Sequence, residues 1–273
     1  MKTKYKIQIA KIISFFLKPL FKKNKVYTRN KIKWILDLNE GIDLSIFLFG
    51  TSEKKIRNLE KLFYTNEKLI IIDIGANIGS ISLPLAKIFN KSKIFSIEPT
   101  NYAFNKLNRN LNLNKNLKKN ISLNQLFISK INKPTEVWSS WNFNNNKNKH
   151  KQHLGTLHTI KKKSYLSLSK FISLKKIKKI DFIKLDVDGH ELDVLKSGQK
   201  FLKDNKPVIF IEIAPYLYPE FGYKCSELII YIKRLGYSFY NDDLKKITNI
   251  ENYVKRITFG GSKNFYLMKS YKT

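Results

Sequence analysis

Residues 70–79 read IIIDIGANIG, in which an apolar run leads into Asp73 and then into two glycines, Gly75 and Gly79. A continuous apolar run of this length predicts a β-strand buried on both faces. Glycines directly after it predict a tight turn whose backbone passes close to a ligand before a helix begins. Paired glycines occur in many folds, so the rest of the chain decides what this turn binds.

Strand-length apolar runs alternate with helix-length amphipathic segments from residue 69 onward. The predicted strands cover residues 69–74, 93–98, 121–128, 180–187 and 207–213. The predicted helices between them cover residues 79–90, 101–112 and 189–203. Strands that alternate with helices form a parallel sheet with helices on both faces. The sequence therefore predicts an α/β fold with a doubly wound, mostly parallel sheet.

An N-terminal extension, residues 1–66, precedes the predicted main domain at residues 67–273. Residues 1–24 place apolar side chains on one face of a helix and lysines around the other. Lysines and a proline interrupt this run, so it cannot cross a bilayer, which needs ~20 apolar residues. It predicts a helix that packs on its own domain or attaches loosely to anionic lipid at the inner face of the membrane.

The rest of the extension has two short apolar runs within residues 31–49, on either side of a turn-like break, and helical spacing over residues 52–65. An insert at about residues 132–153 is polar and rich in asparagine, which is typical of a solvated loop or of a loop that covers a substrate. Its aromatic and histidine side chains are candidates for contact with such a substrate. These candidates are Trp138, Trp141, His150 and His153, with His158 just beyond them.

The formal charge of +31 suggests a nucleic-acid or membrane partner. Lysine, asparagine and isoleucine are frequent in every part of the chain, however, so a general compositional bias explains much of this charge. Aromatic RNA-binding motifs are absent from the sequence, which disfavours a nucleic-acid partner. The single cysteine, Cys225, excludes an internal disulfide and suits a reducing cytoplasm.

A carboxylate at the end of the second predicted strand complements the glycine turn. Glu98 follows the run KIFSI, and a carboxylate at this position can accept hydrogen bonds from both hydroxyls of a ribose. Asn77 stands where a dinucleotide-binding turn has its middle glycine, so a pyrophosphate would meet a side chain there. The pattern indicates an adenosine-type cofactor without a pyrophosphate, and S-adenosylmethionine fits this description.

Four segments resemble the FkbM-type methyltransferases in order and spacing: IIIDIGANIGSISLPLAK, IFSIEPTNYAFNKLNRNLNLN, IDFIKLDVDGHELDVLKSGQKFL and PVIFIEI. The resemblance covers roughly residues 69–213 and implies a class I methyltransferase fold with S-adenosylmethionine as the methyl donor. It also implies methylation of a hydroxyl, because acceptors in the family include sugars, cell-surface glycans and polyketides. The cofactor-site residues predicted from the glycine turn and this resemblance are Asp73, Gly75, Asn77, Gly79, Glu98 and Asn110.

The chain departs from the family pattern at two places. Where members commonly have Asp-Val-Glu-Gly, it has Asp186-Val187-Asp188-Gly189, and where many have Leu-Asp it has Leu166-Ser167. The second departure removes a carboxylate to which a role could otherwise be transferred.

Methyl transfer to a sugar hydroxyl needs a base or a metal ion that helps the hydroxyl to lose its proton. Asp186 and Glu212 end neighbouring predicted strands and could bind one Mg²⁺ ion. His190, oriented by Glu191, is a competing base, although both side chains could instead serve the backbone at a helix start. Asp188 and Asp193 are expected to serve the N-terminus of that helix.

The sequence favours a cytoplasmic S-adenosylmethionine-dependent O-methyltransferase that acts on a sugar, a glycan precursor or a similar small molecule. Three other functions are to be weighed, of which an NAD-dependent oxidoreductase would need a glycine in place of Asn77. An RNA methyltransferase would use the basic surface, and a non-catalytic protein would keep the cofactor pocket without the reaction.

Overall fold

The structure is a computed structural model that describes residues 12–13, 25–130, 135–138, 155–160 and 165–270. The predicted N-terminal helix lies outside these residues except for Ile12 and Ile13. Trp141, His150 and His153 of the predicted insert also lie outside them.

Thirteen strands and eight longer helices make up the described parts of the chain. The strands are β1 (Val26–Arg29), β2 (Ile32–Ile35), β3 (Ile70–Ile74), β4 (Lys93–Ile97), β5 (Ile121–Asn124), β6 (Phe127–Ile128), β7 (Thr135–Trp138), β8 (Leu157–Ile160), β9 (Tyr165–Leu166), β10 (Phe182–Leu185), β11 (Val208–Ile213), β12 (Tyr237–Tyr240) and β13 (Lys263–Lys269). The helices are α1 (Gly41–Phe49), α2 (Ser82–Ile88), α3 (Asn101–Leu113), α4 (Leu168–Leu174), α5 (Glu191–Ser197), α6 (Gln199–Asn205), α7 (Cys225–Arg234) and α8 (Ile250–Lys255). Short 3₁₀ segments cover Lys54–Lys61, Lys115–Leu117 and Tyr218–Phe221.

A seven-stranded sheet with the order β12-β13-β11-β10-β3-β4-β5 forms the centre of the fold. β3 pairs in parallel with β10 on one side and with β4 on the other. β11 and β5 extend the parallel arrangement, and β13 then enters antiparallel between β11 and β12. The doubly wound, mostly parallel sheet is confirmed, and this strand order is that of a class I methyltransferase fold.

The central strands are buried on both faces, which explains their almost unbroken apolar sequences. Ile72 and Ile74 of β3 pack in one hydrophobic cluster, and Ile71 packs in a second cluster on the opposite face of the sheet. The helices that follow the parallel strands cover both clusters. This double cover fixes the register of the strands and brings their carboxyl ends to one edge of the sheet.

The N-terminal segment docks against α3 through two asparagines. Asn110 accepts a hydrogen bond from the Ile35 backbone N–H at 2.8 Å, and Asn114 accepts one from the Lys33 N–H at 2.9 Å. The Asn114 amide also donates to the Lys33 carbonyl at 2.7 Å. β2 is thereby held beside the helix that follows β4, and the chain after β2 reaches the same edge of the sheet.

Local structure differs from the sequence predictions at several boundaries. β1 and β2 form a hairpin that turns at Asn30 and Lys31, which have φ of 49° and 59°. The second apolar run within residues 31–49 forms the helix α1 and not a strand. The helical spacing over residues 52–65 becomes a 3₁₀ segment, and the predicted strand 121–128 divides into β5 and β6.

The predicted helix at residues 189–203 divides into α5 and α6 at Gly198. A Cβ at this position would lie 2.6 Å from the Leu168 side chain, so the close packing of α4 requires the glycine. Ser167 accepts a hydrogen bond from the Lys170 N–H and caps α4, in place of the aspartate found in many FkbM-type sequences. None of the helices among the described residues is long and apolar enough to cross a membrane.

Candidate cofactor and acceptor site

A cavity of about 730 Å³ opens at the carboxyl ends of the parallel strands. Gly75 after β3, Glu98 after β4 and Asp186 after β10 line it, together with Glu212 near the end of β11. Ligands of open α/β sheets bind at this edge, and the volume is within the range of small-molecule sites, about 300–1,000 Å³. The cavity is therefore the candidate functional site.

The glycine turn brings the end of β3 against the end of β10. Gly75 has φ of +80°, and a Cβ on it would lie 1.9 Å from the Asp186 carbonyl oxygen. The close approach that the sequence predicts is thus an approach to the neighbouring strand. Gly79 has φ of +89°, and its missing Cβ makes room for Leu83 and Leu107, so this glycine serves packing behind the cavity.

Glu98 is buried and its carboxylate is fixed on both oxygens. One oxygen accepts from the Asn77 N–H at 3.0 Å, and the other accepts from the Thr100 N–H at 2.9 Å and from the Thr100 hydroxyl at 2.6 Å. Burial raises the pKa of Glu98, and the bonds from Thr100 and Asn77 act against that rise. The oxygen that accepts from Asn77 can accept one further hydrogen bond, which a ribose hydroxyl could donate.

Apolar side chains line the part of the cavity next to Glu98. They are Ile97, Leu126, Phe127 and Ile128, with Pro99 beside them. A fixed carboxylate beside an apolar slot suits an adenosine group, because the slot receives the flat base and the carboxylate receives the ribose. The residues present therefore fit S-adenosylmethionine.

Lys184, on β10, connects the cavity to a buried aspartate. Its ammonium donates to the Gly75 carbonyl at 2.7 Å and lies 3.3 Å from a carboxylate oxygen of Asp186 and 3.7 Å from one of Asp73. Burial alone would lower the pKa of Lys184, but the charges of Asp186 and Asp73 raise it above its ordinary value. The lysine is held as a cation.

Asp73 is not one of the described residues that line the cavity. Its side chain is fully buried and accepts a hydrogen bond from the Ser82 hydroxyl at 2.6 Å. Burial raises its pKa, and Lys184 and Ser82 oppose the rise. The predicted contact of Asp73 with the cofactor is therefore indirect, through the position of Lys184 and the start of α2.

Three carboxylates converge at the other end of the cavity. Carboxylate oxygens of Asp186, Asp188 and Glu212 lie within 4.8 Å of one another, and the Ser262 hydroxyl donates to Glu212 at 2.5 Å. Burial raises the pKa of Glu212, and the charges of Asp186 and Asp188 raise it further. Burial and the charge of Asp186 likewise raise the pKa of Asp188 well above its ordinary value.

The expected role of Asp188 at the start of α5 is wrong. Glu191, the first residue of α5, binds the turn that precedes the helix, because it accepts from the Val187 N–H at 3.1 Å and from the Gly189 N–H at 3.3 Å. Asp188 has φ of 47° and lines the cavity beside Asp186 instead. A left-handed non-glycine residue at this place fits the clustering of backbone strain at functional sites.

His190 is packed away from the cavity, contrary to its predicted role as a base. Its ring lies between Phe127 and Phe221, with centroid distances of 5.1 Å and 4.2 Å, and Nε2 is 3.2 Å from the Glu136 carbonyl oxygen. Burial lowers the pKa of His190. Asn110 is also not among the described residues that line the cavity. Its side-chain amide accepts a hydrogen bond from the Ile35 N–H and donates one to the Ile78 carbonyl, behind the glycine turn.

Two residues at the edges of the predicted insert do reach the cavity. Trp138 on β7 and His158 on β8 line it, and the two strands form an antiparallel hairpin. Burial lowers the pKa of His158. Five lining residues that the sequence analysis did not single out complete the acceptor end: Ser52, Glu53, Tyr216, Ser262 and Asn264. Tyr216 follows β11 by three residues, a strand-end signal that could have identified it.

The family model for the methyltransferase FkbM domain matches residues 73–239. The chain belongs to the FkbM family of S-adenosylmethionine-dependent methyltransferases. The match covers the glycine turn, Glu98, the carboxylates that follow β10 and the carboxylate of Glu212 on β11, all of which line the cavity. A comparison with curated proteins finds no match.

Solved structures with a similar fold are distant in sequence. One is the FkbM methyltransferase from Methylobacillus flagellatus KT, with 16% identity, a TM-score of 0.46 and coverage of 75% of this chain and 44% of that chain. The chain thus spans less than half the length of that FkbM protein. Another is M. jannaschii TYW2 in complex with AdoMet, with 16% identity, a TM-score of 0.42 and coverage of 90% and 85%. A third is a SAM-dependent methyltransferase from Aquifex aeolicus, with 16% identity, a TM-score of 0.42 and coverage of 79% and 89%.

Proposed function

We propose that this FkbM methyltransferase transfers a methyl group from S-adenosylmethionine to a hydroxyl of a sugar, a glycan precursor or a similar polyhydroxy compound. The observation that carries the proposal is a cluster of three carboxylates at one end of a cavity whose other end fits adenosine. The three belong to Asp186, Asp188 and Glu212. A weakly acidic hydroxyl is the acceptor that needs such groups, because it must lose a proton as it is methylated.

S-adenosylmethionine, when bound, supplies an activated methyl group and leaves as S-adenosylhomocysteine. Glu212 is the group that we assign to accept the hydroxyl proton, since its raised pKa makes it a stronger base than a free carboxylate. The acceptor oxygen then carries the methyl group as an ether, and the sulfur keeps the electron pair of the broken bond. Asp186 faces the same space and can orient the hydroxyl.

We further propose that the three carboxylates can hold one Mg²⁺ ion. Carboxylate oxygens are the ligands that Mg²⁺ prefers, and it usually keeps several waters. An ion there would lower the pKa of the hydroxyl, and the carboxylates would then serve as ligands. The effect of metal removal decides between this arrangement and Glu212 acting as the base.

An RNA acceptor is the alternative that the basic surface suggests, but the lining of the cavity supports it less well than a carbohydrate acceptor. The acceptor end is lined by carboxylates, which repel a phosphate backbone. We therefore propose a carbohydrate acceptor. The cytoplasmic location that the sequence predicts is part of the same proposal.

The test is transfer of a labelled methyl group from S-adenosylmethionine into fractions of a host lysate. We expect label in a nuclease-resistant carbohydrate or small-molecule fraction, and its loss with Glu98→Ala. Asp204→Asn, which removes an exposed carboxylate on α6, is the matched control and should label normally. Label confined to RNA would refute the proposal.

A further inference from the structure

Glu53 lies at the acceptor end of the cavity and is fixed there from two sides. One carboxylate oxygen accepts from the Lys55 N–H at 3.0 Å, and the other accepts from the Asn264 side-chain amide at 2.6 Å. Lys55 belongs to the 3₁₀ segment before β3, whereas Asn264 is on β13, next to Glu212 in the strand register. The two hydrogen bonds hold the charge of Glu53 in one place.

Glu53 adds a fourth carboxylate to this end of the cavity. Asp186, Asp188 and Glu212 are the other three, and Lys184 is the one cation among the described residues that line this end. The charge of Asp186 contributes to a raised pKa of Glu53, after burial and the charge of Asp242, which indicates that the two carboxylates share an environment. A bound divalent cation would not neutralise four carboxylates.

The remaining lining groups at this end are hydroxyls and an amide. They belong to Ser52, Tyr216, Ser262 and Asn264. Hydroxyls and amides both donate and accept hydrogen bonds, which suits a ligand that carries many hydroxyls. Lys106 and Arg109, on α3, also line the cavity, and the Lys106 ammonium is paired with the carboxylates of Glu40 and Asp43.

Four of the five residues that complete this end lie outside the family match, and Tyr216 lies inside it. Residues 73–239 match the FkbM domain and include Glu98 and the three strand-end carboxylates, whereas Ser52, Glu53, Ser262 and Asn264 lie before or after them. The matched domain thus supplies the cofactor end and the reaction chemistry. The flanking segments add Ser52, Glu53, Ser262 and Asn264 to the wall at this end.

We propose that Glu53, oriented by Asn264, is a specificity-determining residue that makes the enzyme select uncharged or amine-bearing polyhydroxy acceptors over phosphorylated or carboxylated ones. This inference rests on the proposed function. A fixed carboxylate facing an anionic acceptor costs binding free energy, and the same carboxylate can bind an ammonium or a hydroxyl. The selection is opposite to what the net charge of +31 suggests.

The experiment labels a nuclease-treated extract of the host lysate with methyl-labelled S-adenosylmethionine. Labelled carbohydrate is cleaved to monosaccharides under conditions that retain phosphate and carboxylate groups, and the products are separated by anion and cation exchange at pH 7. Glu53→Gln removes the charge, and Asn264→Ala removes the donor that orients it. Glu60→Gln, an exposed residue of the same 3₁₀ segment, is the control. Binding of S-adenosylhomocysteine by calorimetry verifies that each variant is folded.

The wild type and Glu60→Gln should label neutral or cationic products almost exclusively. Glu53→Gln should raise the share of label in anionic products by about tenfold, with a smaller rise for Asn264→Ala and unchanged S-adenosylhomocysteine affinity for both. Wild-type label mainly in anionic hydroxyl compounds would overturn this inference and leave the proposed function intact. The same charge distribution for Glu53→Gln and wild type would also overturn it. Label only in nucleic acid or protein would overturn the proposed function itself.

Discussion

The Lys184 ammonium donates a hydrogen bond to the Gly75 carbonyl across two neighbouring parallel strands, at 2.7 Å. The same ammonium lies between Asp73, which is fully buried, and Asp186, which faces the cavity. One side chain therefore holds the glycine turn, compensates a buried charge and orients a carboxylate that lines the cavity.

Replacing Lys184 by methionine should destabilise the protein by about 3–5 kcal/mol, because it leaves the buried Asp73 without its cation. The glycine turn also loses its anchor, so S-adenosylhomocysteine should bind more weakly. Urea unfolding and calorimetry measure the two effects. Lys203→Met, at an exposed position of α6, is the control and should change neither quantity. A Lys184→Met protein as stable as wild type would show that Asp73 is protonated in the fold.

Gly75→Ala should prevent normal folding or abolish cofactor binding. Its Cβ would overlap the Asp186 carbonyl oxygen, which is backbone and cannot move aside. Gly222→Ala is a matched control, since Gly222 has a similar φ of +77° with nothing within 4 Å of a Cβ. That control should lose only about 1–2 kcal/mol, the cost of the left-handed conformation. Thermal unfolding of both variants separates the clash from the backbone strain, and equal losses would contradict the clash.

Removal of divalent metal should lower methyl transfer if the three carboxylates hold an ion. After dialysis against EDTA, activity should fall by more than tenfold and return with Mg²⁺. Mg²⁺ should also raise the melting temperature of the wild type, because it binds the folded state, and it should do so less for Asp188→Asn. Full activity in excess EDTA would assign proton removal to Glu212 without a metal.

The sequence predicted the sheet well, together with part of the cavity lining, for a local reason. β3, β4, β10 and β11 are buried on both faces, so each appears as an apolar run, and the residues just after such runs lie at one edge of the sheet. Gly75, Asn77, Glu98 and Asp186 follow this rule, Glu212 is the last residue but one of β11, and all five line the cavity.

The residues that the sequence analysis misplaced or missed depend on contacts between distant parts of the chain. His190 is surrounded by Phe127 and Phe221, which a local pattern does not reveal. Asn264 reaches the site because β13 returns antiparallel beside β11, and Glu53 reaches it because Asn264 holds it there. Asp188 precedes α5 and Glu191 begins it. Only the three-dimensional turn decides that Glu191 binds the backbone before the helix while Asp188 lines the cavity.

Glu191 should make the stability of the protein depend on pH. Burial raises the pKa of Glu191 to about 7, against 4.5 for an ordinary glutamate. The folded state therefore holds a proton that the unfolded state releases between these values, and stability must fall as the pH rises from about 4.5 to about 7. One carboxylate oxygen accepts the two backbone bonds, and the other is buried without a hydrogen-bond partner. Ionisation places a charge on a group with too few donors to compensate it.

Glu191→Gln keeps a neutral acceptor at this position and removes the ionisation. Relative to wild type, the variant should gain up to about 3 kcal/mol in free energy of unfolding between pH 5 and pH 8. Urea unfolding of both proteins at the two pH values measures this change. The difference between the proteins isolates Glu191 from Asp43, whose pKa burial also raises to about 7 and which titrates in both. A constant difference between the two proteins across this range would show that Glu191 does not hold a proton in the folded state.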